Sequence, residues 1–246
     1  MKTHIYLIRH GEAYANSENV LAGMKTDRGL NSMGIMQAER LRDRLAATGE
    51  FSADVLIAST LPRATQTAQI VAPALGLEII PDDEVQELNV GAADGLSVPE
   101  YIERYGGFKD SRQDPYIPLA PGGDSWGSFV TRVGTALYRI ADTYEGKTIV
   151  VVCHGGVIDA SLLLGLGMAT IAPAVGQFHT RNASITEWER SALGPIDIKR
   201  WRLLRYNDDV HVRDIGAPTR IQWTRFAPPY REGDEPNAPL PTEEQD

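Results

Sequence analysis

Cysteine is nearly missing: Cys153 stands alone among 246 residues. That excludes an internal disulfide and every zinc pattern built on several thiolates. Positive charge is also short. Against 33 Asp and Glu the chain carries 24 Lys and Arg, a net charge of −9. Such a balance argues against a nucleic-acid-binding face and against an anionic membrane as partner. An acidic chain can still hold one local cationic pocket, and such a pocket would serve a specific anion. No apolar run approaches the roughly 20 residues needed to span a bilayer. The first apolar run begins within a few residues of Met1, so no secretory signal peptide is expected. A cytoplasmic compartment is the default expectation. Whether the chain forms a homo-oligomer is not legible.

What is present is an ordinary globular composition, 42% apolar and 23% charged, with length enough for a large α/β domain. Ile5-Tyr6-Leu7-Ile8 reads as a buried strand that ends in Arg9-His10-Gly11-Glu12. Residues 13–30 read as a loop. Asn31 or Ser32 caps a helix to about Gly49, and Asp54–Ala58 is a second buried strand. Pro62 opens a helix that Gly76 closes, and Leu77–Ile80 is a short third strand. Residues 89–123, rich in glycine, proline and tyrosine, read as an inserted cap with a short helix near Pro99–Tyr105. Asp124 or Ser125 then caps a helix to about Tyr144. Lys147–Cys153 is the most β-like run, and it feeds His154-Gly155-Gly156 and a helix to about Leu166. Ala183–Glu189 and Ile198–Tyr206 look like later strands. The first of these alternates apolar with polar, which places it near an edge. The pattern predicts an α/β fold, a mostly parallel sheet with helices on both faces. It spans residues 1–227 as one domain with the cap inserted. Residues 228–246, acidic with five prolines, read as a tail or surface strap.

Three strand–turn–helix units end in the same kind of residue. The first delivers Arg9 and His10, the second Arg63, the third His154 followed by Gly155. Ligands bind at the carboxyl edge of such sheets, beside helix N-termini whose free N–H groups favour anions. Two imidazoles and two guanidiniums in one crevice would repel one another. An anion with several oxygens, such as a phosphoryl group, relieves that repulsion. A neutral histidine can accept a phosphoryl group, and arginines can stabilise its oxygens in flight. The leaving alcohol needs a proton from a carboxyl at the crevice mouth. Glu87 is the first candidate, with Glu84 and Asp94 behind it; a plain surface carboxylate is the competing reading for Glu87.

Leu7-Ile8-Arg9-His10-Gly11-Glu12 with Asn16 resembles the signature of the histidine phosphatase (phosphoglycerate mutase-like) superfamily. The resemblance continues in order through Leu30–Gly34, Ser59–Ala68, Glu87, Pro121–Ser125, Val151–Ile158 and Asn182–Ile185, as far as His211. It implies a three-layer α/β/α fold and a hydrolase of the histidine acid phosphatase type. It further implies a phosphohistidine at His10 and a phosphate pocket of Arg9, Arg63 and His154 with Gly155 beside it. Asn16 assists, and Glu87 acts as acid and then base. Neither a metal nor another cofactor is implied, and the expected partner is a small phosphorylated substrate. Ala13, Gly29 and Ala93-Asp94 depart from the usual family pattern.

A mutase of this family carries an Arg-His-Tyr stretch after the catalytic glutamate. Here the stretch is Leu88-Asn89-Val90, which favours hydrolysis over phosphoryl transfer to a sugar acid. A non-catalytic phospho-ligand binder commonly lacks the nucleophile or the acid, and this chain keeps both. A cysteine phosphatase would need arginine six residues after its cysteine, where Asp159 stands. His179 and Arg181 are outer candidates for substrate contact, and His211 reads as structural.

Overall fold

The protein is described by a computed structural model that covers residues 1–50, 52–106, 115–168, 178–193 and 196–215. Phe108, Lys109 and Arg112 of the expected cap, and the tail 228–246, lie outside the described residues. One six-stranded sheet organises the rest, in the order β3-β2-β4-β1-β5-β6. Its strands are β1 (Lys2–Arg9), β2 (Val55–Ser59), β3 (Ile79–Asp82), β4 (Thr148–Cys153), β5 (Ile185–Leu193) and β6 (Ile196–Asp208). The first four run parallel, and β5 and β6 are antiparallel additions beside β1.

Alternation along β1 divides the core. Ile5 and Leu7 face one layer with Ile57, Val151 and Cys153, where α5 (Trp126–Thr143) contributes Phe129, Val133 and Ile140. The helix α6 (Gly155–Gly165) adds Val157 and Ile158 to the same layer. Tyr6 and Ile8 face the other layer with Leu56, Val150 and Val152. There α2 (Ser32–Thr48) contributes Leu41 and Leu45, and α3 (Pro62–Leu75) contributes Ala64, Ala68 and Val71. Leu7, Leu41 and Leu56 are wholly buried, each contributing about 1.5–3 kcal/mol of transfer free energy. A third apolar cluster, Leu21, Val90, Ala93, Tyr101 and Ala120, joins the segment after β1 to the segment around α4 (Val98–Tyr105).

The local signals act as their chemistry dictates. Asn31 accepts the Gly34 N–H at the start of α2, Ser97 and Glu100 form a capping box on α4, and Ser125 caps α5. Pro62 occupies the first turn of α3, where its missing N–H has no helical partner to lose.

Two expectations need correction. Residues 13–30 are not all loop: α1 (Tyr14–Glu18) forms one short turn of helix there, beside an Asn16 side chain that accepts the Ala13 N–H at 3.0 Å. β3 begins two residues later than expected, at Ile79. β5 lies near an edge, as expected, one strand in between β1 and the edge strand β6. Its alternating polar residues are buried but satisfied. Glu187 accepts from the Tyr6 hydroxyl at 3.0 Å, and Glu189 pairs with Lys2 at 2.8 Å. Ion pairs and hydrogen bonds across the sheet do the work that solvent would do at an edge.

Candidate active site

The carboxyl ends of β1, β2 and β4 bring the expected residues together. Arg9 ends β1, His10 follows it, Arg63 lies one residue into α3, and His154 joins β4 to α6. Arg9, His10 and Arg63 are buried, and His154 is wholly so. The two imidazole rings lie 5.1 Å apart, centroid to centroid, tilted by 58°.

The turn after His10 is held from several sides. Gly11 lies so close to Gly34 on α2 that a Cβ on either would overlap backbone of the other turn. The Gly11 N–H donates to Thr67 Oγ1 at 3.0 Å, and that hydroxyl donates to the Arg63 carbonyl at 2.8 Å. Asn182 donates to the His10 carbonyl at 2.9 Å, and the Ala183 N–H donates to the Arg9 carbonyl at 2.9 Å. Arg9 donates through Nη1 to the Thr180 carbonyl. The β1 end is therefore tied both to α3 and to the segment that leads into β5.

His10 Nδ1 lies 2.6 Å from the Gly11 carbonyl oxygen. A carbonyl can only accept, so Nδ1 carries the ring proton and Nε2 keeps its lone pair. Burial, then Arg63, then Arg9 push this imidazole well below the ordinary histidine value, with the Gly11 carbonyl opposing. His154 is lowered in the same way, by burial first and then by Arg63, His10, Arg9 and Arg132. Both rings are neutral near pH 7 as a result. Ser59 Oγ lies 2.7 Å from His154 Nε2, while His154 Nδ1 is buried with no hydrogen-bond partner among the described residues.

The cations are not wholly uncompensated, contrary to the expectation from sequence. Asp27, whose side chain is 1% exposed, accepts from Arg63 Nη1 at 2.8 Å. Its other oxygen accepts the Gly29 N–H at 2.8 Å. Asp27 was hidden because it sits in an aperiodic polar stretch.

Glu87 arrives at the N-terminus of α6. Its Oε2 accepts the Gly156 N–H at 3.0 Å and its Oε1 accepts the Leu88 N–H at 3.0 Å. A Cβ on Gly156 would overlap this carboxylate. Gly155 lies against Arg9: a Cβ there would sit 3.5 Å from Arg9 Nε. Arg132 on α5 donates to the carbonyls of Glu84, Gln86 and Glu87. The sequence shows Arg132 only as a charge on an amphipathic helix, with nothing to mark it.

The weaker candidates have other partners. Glu84 pairs with Arg139 at 2.9 Å on the surface. Asp94 accepts the Gly23 and Lys25 N–H groups and the Thr26 hydroxyl, and so shapes the loop that carries Asp27. Asn16 makes no hydrogen bond to Arg9, His10, Arg63 or His154 among the described residues. Arg181 pairs with Asp209 at 2.6 Å; His179 is exposed, and its carbonyl accepts from Asn207. His211 bridges Arg44 and the Ala183 carbonyl, a structural tie. Among the described residues no group of three or more His, Cys, Asp or Glu side chains could hold a metal ion. No described helix is long and apolar enough to cross a membrane.

The chain is 40% identical over 159 residues to phosphoglycerate mutase-like protein 4 of Arabidopsis thaliana, covering 63% of this chain and 67% of that one. It is 29% identical over 219 residues to a metal-independent phosphoserine phosphatase of the same plant, covering 87% and 85%. A solved phosphoserine phosphatase from Entamoeba histolytica, in complex with phosphoserine, superposes with a TM-score of 0.66 at 26% identity, covering 85% of this chain and 99% of that one. Some relatives are longer: the chain spans 53% of a mycobacterial bifunctional protein to which it is 32% identical. The model of the histidine phosphatase superfamily (branch 1) matches residues 5–209, and the chain belongs to that superfamily.

Proposed function

We propose that the chain is a metal-independent phosphomonoesterase that acts on a small phosphorylated metabolite through a phosphohistidine at His10. The observation that carries this is the state of His10. Its Nδ1 proton is given to Gly11, its ring is held neutral, and two buried arginines and a second neutral imidazole stand beside it.

In the first step, His10 Nε2 attacks phosphorus and the bond to the ester oxygen breaks. The leaving oxygen takes the electron pair and a proton from the Glu87 carboxyl. Arg9, Arg63 and His154 bind the three remaining phosphoryl oxygens as charge redistributes, where most catalysis of this reaction resides. In the second step, Glu87, now a carboxylate, takes a proton from water as the water oxygen attacks phosphorus. The P–N bond breaks, its electron pair returns to Nε2, and inorganic phosphate leaves.

Hydrolysis is preferred to a mutase reaction because of what replaces the extra cations. Leu88 packs against the main core. Asn89 contacts the Gly122 carbonyl and the Gly91 N–H through its side chain. Neither offers charge to a second acidic group. Incubation with 3-phosphoglycerate and a trace of bisphosphoglycerate, with EDTA present, tests this. Release of inorganic phosphate is expected, and accumulation of the positional isomer would overturn the hydrolase reading. Replacing Glu87 by Gln should slow alkyl esters about 100-fold and p-nitrophenyl phosphate far less, because a good leaving group needs little protonation.

A further inference from the structure

We propose that Arg132 is a positioning residue for Glu87, fixing where the carboxyl meets the leaving oxygen; this rests on the reading of Glu87 as the acid. Glu87 lies in the connection between β3 and α4, between two short 3-10 turns (Asp83–Val85 and Gly91–Ala93) and in neither of them, so no helix or strand ladder sets its own backbone. One guanidinium supplies what the ladder does not. Arg132 Nη1 donates to the Glu84 carbonyl at 2.9 Å and to the Gln86 carbonyl at 3.0 Å. Its Nη2 donates to the Glu87 carbonyl at 3.2 Å and to Asp124 Oδ2 at 2.9 Å. Three carbonyls within four residues converge on one planar fork, a task that suits arginine and not the point charge of lysine.

The fork is itself held. Its guanidinium carbon lies 5.2 Å from the Phe129 ring centre, one turn earlier on α5. Asp124 carries the fixation onward: its Oδ2 also accepts the Asn89 N–H at 3.0 Å, and its own N–H donates to the Asn89 carbonyl at 2.8 Å. Asn89 is the first residue of the segment expected to form the cap, and Asp124 directly follows its last. Arg132 therefore joins the backbone of the acid to the neck of that segment and anchors both on a helix packed in the main core. Among the described residues, only the N–H groups of Gly156 and Leu88 orient the Glu87 side chain, so a shift of its backbone moves the carboxyl directly.

A residue that places an acid must share the acid's dependence on the leaving group. The test compares p-nitrophenyl phosphate with phenyl phosphate, whose leaving phenoxide is the stronger base. It reads kcat/KM, which reports the phosphorylation step. Replacing Arg132 by Met should lower kcat/KM for phenyl phosphate at least about tenfold more than for p-nitrophenyl phosphate. Arg132→Lys should do the same to a smaller extent. In a Glu87→Gln background, loss of Arg132 should cost less than about twofold more, because the two act as a unit. Equal losses on both esters, or an undiminished loss in the Glu87→Gln background, would reduce Arg132 to general support of the fold and overturn the proposal. If Arg132→Met does not fold, Arg132→Lys and Asp124→Asn are read by the same criteria. If Glu87→Gln itself shows no preference between the esters, the acid assignment falls first, and this inference falls with it. A preference shown by Glu87→Gln but not by the Arg132 variants removes this inference alone.

Discussion

Glu87 and Gly156 come together because one of them has no side chain: the carboxylate accepts the Gly156 N–H at 3.0 Å through the space a Cβ would fill. The contact puts the Glu87 carboxylate at the N-terminus of the helix that His154 begins, where unpaired N–H groups point outward. Two functional elements far apart in sequence are thereby joined by one backbone donor.

Replacement of Gly156 by Ala is expected to displace the carboxylate while leaving His10, Arg9 and Arg63 in place. Hydrolysis of an alkyl phosphate should fall at least about tenfold, with p-nitrophenyl phosphate affected much less. Steady-state kinetics on the two esters checks this. Unchanged turnover of the alkyl ester would show that Glu87 acts from another position.

The Asp27–Arg63 pair yields a prediction about stability. Both side chains are almost fully buried, Asp27 at 1% and Arg63 at 6% exposure. Removing one partner of such a pair strands the other, at a cost of about 3–5 kcal/mol. Asp27→Ala should lose stability of that order in urea unfolding and regain part of it when inorganic phosphate is added, since the anion gives Arg63 a new partner. A loss below about 1 kcal/mol would mean that Arg63 turns to solvent when released, as exposed pairs do.

These residues also show where sequence reading ended. The buried strands, the caps at Asn31 and Ser125, and the polar residues at strand ends are local signals. They were legible because hydrophobic alternation and capping chemistry act over a few residues. Arg9, His10, Arg63 and His154 were legible for the same reason, each being fixed by its own strand–turn–helix unit. Asp27 and Arg132 were not, and Asn182 was marked only as part of a motif, without its role. Their partners lie 36, up to 48 and 172 residues away, and no periodicity marks them. The burial of Glu187 and Glu189 on β5 was not legible, because both look like solvent-facing residues until their partners on β1 and β6 are known.

Acid should weaken the fold through the two histidines. Both are held below the value of about 6.5 that an unfolded chain gives them. The unfolded state then binds more protons than the native state between the lowered values and about 6.5, so stability is full above that window and falls as pH drops through it. Urea unfolding between about pH 7 and pH 5 should show this loss, and His10→Gln should show a shallower one. Equal slopes in the two proteins would mean that His10 titrates normally in the fold.

The central claim is that phosphorus passes through His10 Nε2. Rapid quenching of the protein with a radiolabelled phosphoester, followed by peptide mapping, tests it most directly. The expected result is an acid-labile, base-stable phosphoryl group on the peptide that contains His10, formed within a turnover and absent from His10→Ala. A label that survives acid, or one that His10→Ala still acquires, would contradict the account.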